Sequence, residues 1–162
     1  MAEEDYGMLF PDFPDRAKIW TFVFDRDVSG ETVNTVAAFL SGWQAHGQSV
    51  AARVAVLRRR LLVIAAEPEA LSGCGVDAMF RAVKMAAADM GLRILDGSYV
   101  HYLGETEVES RTRNEFAALV RDSGVHTGTT VFDTSVATLQ DLRNGRWELP
   151  FSASWHARAF PL

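Results

Sequence analysis

Between residues 18 and 104 the apolar residues change their spacing repeatedly, and that succession limits the fold more than any single motif does. "KIWTFVF" (18–24) is rich in β-branched and aromatic residues and reads as a buried strand. Val33, Val36, Ala37, Leu40 and Trp43 then recur at helical spacing, with Ser29 as the cap and His46-Gly47 as the expected end. "SVAARVAVL" (49–57) and "RLLVIAA" (60–66) read as two strands joined near Arg58-Arg59-Arg60. Val76, Met79, Phe80, Val83, Ala87 and Met90 mark a second amphipathic helix, closed by Gly91. "LRIL" (92–95) is strand-like again, and Asp96-Gly97 is placed to turn it into "SYVHYL" (98–103). Strand, helix, strand, strand, helix, strand is the order of a split βαβ unit. The expected fold is therefore α+β with a ferredoxin-like core, an antiparallel-type sheet carrying two helices on one face. The 18–24 and 60–66 strands are expected to lie adjacent and parallel, so that both helices begin at one edge of the sheet.

The rest of the chain adds to this core. Residues 1–16 read as an irregular arm whose Tyr6, Phe10 and Phe13 pack back onto the body, and 104–112 as a polar loop. Residues 113–162 read as an extension: a helix at "RNEFAALVRD", a strand at "TTVFDT", a short helix at "TLQDLRNG" and an aromatic tail. With 162 residues and 48% hydrophobic content, a single domain over 1–162 is the natural reading. The net charge of −5 argues against nucleic acid or an anionic membrane as partner. A lone cysteine excludes an internal disulfide and fits a reducing, cytoplasmic setting. The N-terminus lacks the pattern of a signal peptide, and no run is long enough to span a membrane. Sheets of this kind often pair through an exposed face, so a homodimer is expected.

The chemistry concentrates on "SGCGVD" (72–77). Gly73, Gly75 and Ala78 match a dinucleotide fingerprint, with Asp96 as its acid, but "EPEALS" separates the glycines from the strand they should follow. The local physics is more economical. A helix starting at Cys74 offers unpaired N–H groups to an anion or a thiolate, and the flanking glycines let a ligand approach. In the bland alternative Ser72 caps the helix, the glycines shape a turn, and Cys74 is a small buried hydrophobe. With both helices at one edge, Asp25 and Ser29 become the expected neighbours of Cys74, and His46 falls roughly 20 Å away at the far end of its helix. A histidine serving Cys74 would then be His101 or His156. Neither Lys18 nor Lys84 follows a glycine, so a P-loop ATPase is excluded, and no paired metal-ligand spacing or cofactor motif appears.

"WQAHG" (43–47), "SGCGVD" (72–77), "TTVFDTSVATLQDL" (129–142) and "WELPFSASWH" (147–156) together resemble an uncharacterised bacterial family, of Bacteroidetes type, often labelled "ABC transporter ATPase". The family pattern runs W-x-x-H-G, S-G-C-S-I-D, V-F-N-N, W-x-x-P and S-W-H, and this chain departs from it at Gly75, Val76, Asp133 and Thr134. The resemblance implies no reaction. It points to Trp43, His46, Gly47, Ser72, Gly73, Cys74, Asp77, Trp147, Pro150, Ser154, Trp155 and His156 as the residues that matter. The expected function is a module binding a small anionic metabolite at 72–77, with Ser72, Gly73, Gly75, Asp77, Asp25, Ser29, Trp43, His46 and Trp155 around it. The alternatives are an enzyme or redox protein using Cys74, with His156, and a structural or partner-binding protein.

Overall fold

The computed structural model describes residues 5–162, so the first four residues of the expected arm lie outside the described residues. The run at Leu61–Ala66 is apolar at every position, as a strand covered on both faces must be, and all six residues are buried. Around it the first half of the chain forms β1 (Lys18–Phe24), α1 (Gly30–Ser41), the short strands β2 (Gln44–Ala45) and β3 (Gln48–Ser49), β4 (Ala52–Leu57), β5 (Leu61–Ala66), α2 (Gly73–Asp89) and β6 (Ile94–Leu95). The sheet has the order β4-β5-β1-β6 and is antiparallel at every pairing. Phe22, Phe24, Leu62 and Ile64 face Val36 and Leu40 of α1 and Met79 and Val83 of α2. Their neighbours Ile19, Val23, Leu61 and Val63 face the other way, onto Val108, Phe132, Leu139 and Trp147.

Those last residues belong to a second sheet and its connections. The second half forms β7 (Tyr99–Leu103), β8 (Val108–Thr112), α3 (Arg113–Arg121), β9 (Thr130–Phe132), α4 (Leu139–Arg143), β10 (Glu148–Pro150) and α5 (Trp155–Ala159). Its strands pair in the order β10-β9-β7-β8, again antiparallel. One face packs on the first sheet. The other carries Val100, Tyr102 and Val131 under Phe116 and Val120 of α3 and Phe151 and Phe160 of the tail. The molecule is an α+β structure in four layers: helices, sheet, sheet, helices. No helix among the described residues is long and apolar enough to cross a membrane.

Three expectations are corrected. β1 and β5 are adjacent but antiparallel, with Lys18 opposite Ala66 and Val23 opposite Leu61. The reason is geometric. The tight β4–β5 turn makes those two strands antiparallel, and α1 carries the chain from β1 over to β4 in the same direction as β1. The two helices therefore start at opposite edges of the sheet. Second, "SYVHYL" and the expected 104–112 loop form the β7–β8 hairpin of the second sheet, leaving only Ile94–Leu95 as the fourth strand of the first. Third, α1 ends at Ser41, and His46 (φ 52) and Gly47 (φ 75) form the two-residue turn of the β2–β3 hairpin. Positive φ at both centres is what such a turn demands. The face through which a second copy was expected to pair is covered by the chain's own second sheet.

Polar bolts hold the layers. In the β4–β5 turn Arg58 (φ 49) and Arg59 (φ 64) adopt left-handed backbone, unfavourable for side chains of this size. Each arginine of the triplet is anchored separately. Arg58 pairs with Glu148 of β10, which also accepts from the Tyr6 hydroxyl at 2.6 Å, and Arg59 pairs with Asp27. Arg60, only 8% exposed, donates from Nε (3.0 Å) and Nη2 (2.6 Å) to the Phe24 carbonyl, from Nη1 to the Val108 carbonyl, and from Nη2 to Ser110 Oγ (3.1 Å). Burial pushes its pKa down, while Glu107, Asp25 and Asp27 draw it up. The N-terminal arm is tied down in the same way. Arg143 donates to the carbonyls of Leu9, Phe10 and Phe13 and pairs with Asp15, and Phe10 and Phe13 are buried.

Arg60→Met removes four donated bonds and leaves buried carbonyls unpaired, so it is expected to cost about 3 kcal/mol in urea unfolding. Arg59→Ala, on a solvent-exposed pair, changes stability by less than about 1 kcal/mol. Equal losses for the two variants would contradict this assignment.

Candidate functional site

The start of α2 is built by capping and close packing. Ser72 is extended (φ −136), and its Oγ accepts the Gly75 N–H at 3.1 Å. Trp43 is 3% exposed and donates its indole N–H to the Gly75 carbonyl at 2.9 Å. A Cβ added at Gly75 would lie 3.1 Å from Ser72 Oγ, 3.4 Å from Ala45 Cβ and 3.5 Å from Trp43 Nε1. The glycine at 75 thus serves the approach of the 43–45 segment. Gly73, by contrast, faces open space. Cys74 and Asp77 are exposed, which removes the alternative in which Cys74 is a small buried hydrophobe, while its other part, Ser72 as the helix cap, is as observed.

Antiparallel helices regroup the expected neighbours. Asp25 accepts the Arg93 N–H at 3.0 Å, and Arg26 donates to the Gly91 carbonyl, so the β1–α1 loop adjoins the far end of α2. Asp25 and Ser29 are therefore not partners of Cys74, and Ser29 instead caps α1, accepting from Thr32 N–H at 3.2 Å. The segment expected to be distant is the one that comes near. Trp43 and Ala45 touch the α2 start, and exposed His46 is the next residue along their hairpin. "WQAHG" and "SGCGVD" meet at one place.

The other two quoted motifs meet elsewhere. Asp133 and Trp155 line a cleft of about 680 Å³ between the two sheets, with Asp96, His101 and Arg113. Trp155 is stacked on His156, ring centroids 3.9 Å apart, and the Arg113 guanidinium carbon lies 5.5 Å from the Trp155 ring centre. Thr112 and Glu115 form a capping box at the start of α3, which fixes Arg113 as its first residue. Arg113 donates from Nε to the Gly97 carbonyl at 3.3 Å, and its terminal nitrogens have no protein partner among the described residues. Asp96 and Asp133 each close a turn by accepting a backbone N–H two residues on, from Ser98 and Ser135 respectively, both at 2.9 Å. In each case the second carboxylate oxygen has no protein partner among the described residues.

His101 forms part of the cleft wall. It is 4% exposed, and its Nδ1 lies 2.7 Å from Ser110 Oγ, which in turn accepts from Arg60. The hydroxyl and Nδ1 share one hydrogen bond whose direction follows the ring's tautomer, and Nε2 has no protein partner among the described residues. Burial, then the nearby Arg60 and His156, hold the His101 pKa down at about 4. His156, 1% exposed with Nδ1 3.1 Å from Ser154 Oγ, is also held at about 4. Burial is the main cause there, with Asp133 pulling up and Arg113 pushing down. Thus His156 and Trp155 share a site, but with the inter-sheet cleft, and His156 is a packing residue beneath Trp155.

The sequence does not single out Arg113; it offers Asp96 only as the acid of a dinucleotide fingerprint and Asp133 only as a departure from the family pattern. Two signals were present: the T-x-x-E capping box at 112–115, and the repeated D-x-S turns at 96–98 and 133–135. No protein-family model matches the chain, and no curated protein or solved structure matches it either. The resemblance set out above therefore stands on its motifs alone.

Because both histidines are held below the ordinary value of 6.5, the unfolded chain binds protons first as pH falls. Stability is expected to be full above pH 6.5 and to fall towards pH 4, by up to about 1.4 kcal/mol per pH unit for each ring. Urea melts between pH 7 and pH 4.5 check this, with His101→Asn and His156→Asn each removing about half of the slope. A flat profile in the parent protein would refute it.

Proposed function

We propose that this protein is a binding module for a small organic acid, held in the cleft between its sheets with the acid group on Arg113. One observation carries the reading: the exposed guanidinium sits over Trp155 with its terminal nitrogens free of protein partners among the described residues, at a cleft whose wall includes buried His101. A guanidinium in that setting suits two parallel bonds to a carboxylate or phosphate. The volume, about 680 Å³, is in the range of small-molecule sites. The α2 start supports an anion less well, since the Gly75 N–H is taken by Ser72 Oγ and the Val76 N–H by the Ser72 carbonyl. As to architecture, we read β1, α1, β4, β5, α2 and β6 as a ferredoxin-like unit. Its strand order β4-β5-β1-β6 supports this, with the second sheet laid on its free face.

The test is thermal unfolding in the presence of acetate, benzoate and inorganic phosphate. At least one is expected to raise the midpoint in a concentration-dependent way, as any ligand of the native state does. Arg113→Gln should abolish the effect and Cys74→Ser should leave it intact. Stabilisation that survives Arg113→Gln would remove the cleft from consideration.

A second reading rests on the exposure of Cys74 in the first turn of α2, where a reagent can reach the thiol. It expects alkylation of the native protein to be faster than that of the unfolded chain. Ordinary reactivity, unchanged on unfolding, would leave Cys74 without a chemical role.

A further inference from the structure

Three formally charged side chains, Arg113, Asp96 and Asp133, line the cleft, yet none of the ion pairs among the described residues includes any of them. Asp133 and Arg113 both act on the charge of His156, with opposite signs, so both stand close to that ring. Each is held in place by bonds that leave its outer atoms unused. Arg113 is anchored through Nε to Gly97, and Asp133 through Oδ1 to the Ser135 N–H and hydroxyl. Arg113 is exposed and Asp133 half-buried, so the remaining nitrogens of the one and the remaining oxygen of the other face water and are open to an acceptor and a donor from a ligand. An organic acid alone would satisfy Arg113 while bringing a second anion towards Asp133. An amine alone would do the reverse.

We infer that the cleft takes a zwitterion of the amino-acid class, its carboxylate on Arg113 and its ammonium on Asp133. The inference rests on the cleft being the binding site, and it narrows what that site accepts. His101 adds a neutral imidazole to the wall of the same cleft. Trp155 is stacked on His156 and carries the Arg113 guanidinium 5.5 Å from its ring centre, so its part in the cleft is to seat the arginine.

The experiment is calorimetric titration of the full chain with each of the twenty common L-amino acids. The tightest is then compared with its deaminated acid and its decarboxylated amine. At least one amino acid is expected to bind, about tenfold or more tighter than either single-charge analogue. Asp133→Asn keeps the Oδ1 that closes its turn, so the fold is retained. This variant should weaken the amino acid about tenfold and leave the deaminated acid unchanged. Arg113→Gln should abolish both. If the deaminated acid binds as tightly as the amino acid and ignores Asp133→Asn, the zwitterion is wrong while the cleft stands. If no amino acid binds, the zwitterion is likewise wrong, and any organic acid that still binds through Arg113 keeps the cleft reading alive. If binding survives Arg113→Gln, both readings fall.

Discussion

A buried arginine sets the spacing of this molecule. Arg60 places a guanidinium in the seam between two sheets and satisfies it almost wholly with backbone carbonyls, that of Phe24 at the end of β1 and that of Val108 at the start of β8. Taking a charge out of water costs several kcal/mol, and only close, complete bonding offsets that. The bonding in turn fixes how far apart β1 and β8 can lie. Arg60 reaches this position from a turn whose two preceding residues hold left-handed backbone, each kept there by its own ion pair. The same guanidinium orients Ser110, and through it His101, so the chemistry of the cleft follows from a bond made for packing.

How far the sequence declared this depends on what each residue buries. β1, β5 and α2 were legible because their apolar residues are buried on a regular period, and Leu61–Ala66 is buried throughout. β8 was not. Of "VESRT" only Val108 is buried, and an edge strand with polar residues on one side looks like a loop. The end of α1 misled for a different reason. Trp43 continues the helical spacing, but it does its packing from beyond the helix, where its indole reaches Gly75. The direction of β5 relative to β1 follows from the short β4–β5 turn and the α1 crossover; the residues were right and the inference from them was not.

The cleft was less legible than the fold because its parts come from distant segments that share no pattern. His101 lies on β7, Arg113 at the head of α3, Asp133 just after β9 and Trp155 in α5. Only the second sheet, itself concealed in the sequence, brings them together. At the α2 start the reverse holds. "SGCG" stands out by composition, yet half of what makes it conspicuous, Gly75, answers to a tryptophan 32 residues earlier. Within one motif Gly75 packs, while Gly73, Cys74 and Asp77 face solvent.

The arm has a consequence for the order in which the molecule is made. Residues 6–15 are fastened by Glu148 and Arg143, more than 125 residues along the chain: Tyr6 to Glu148 spans 142 positions and Asp15 to Arg143 spans 128. On a ribosome the arm emerges well before its anchors, and β1 to α2 can assemble about 50 residues before Arg143 is made. Until Arg143 and Glu148 are in place, Phe10 and Phe13 have no permanent seat and the seam they cover stays wet. Docking of the arm therefore registers that the β9–β10 region has been made and folded.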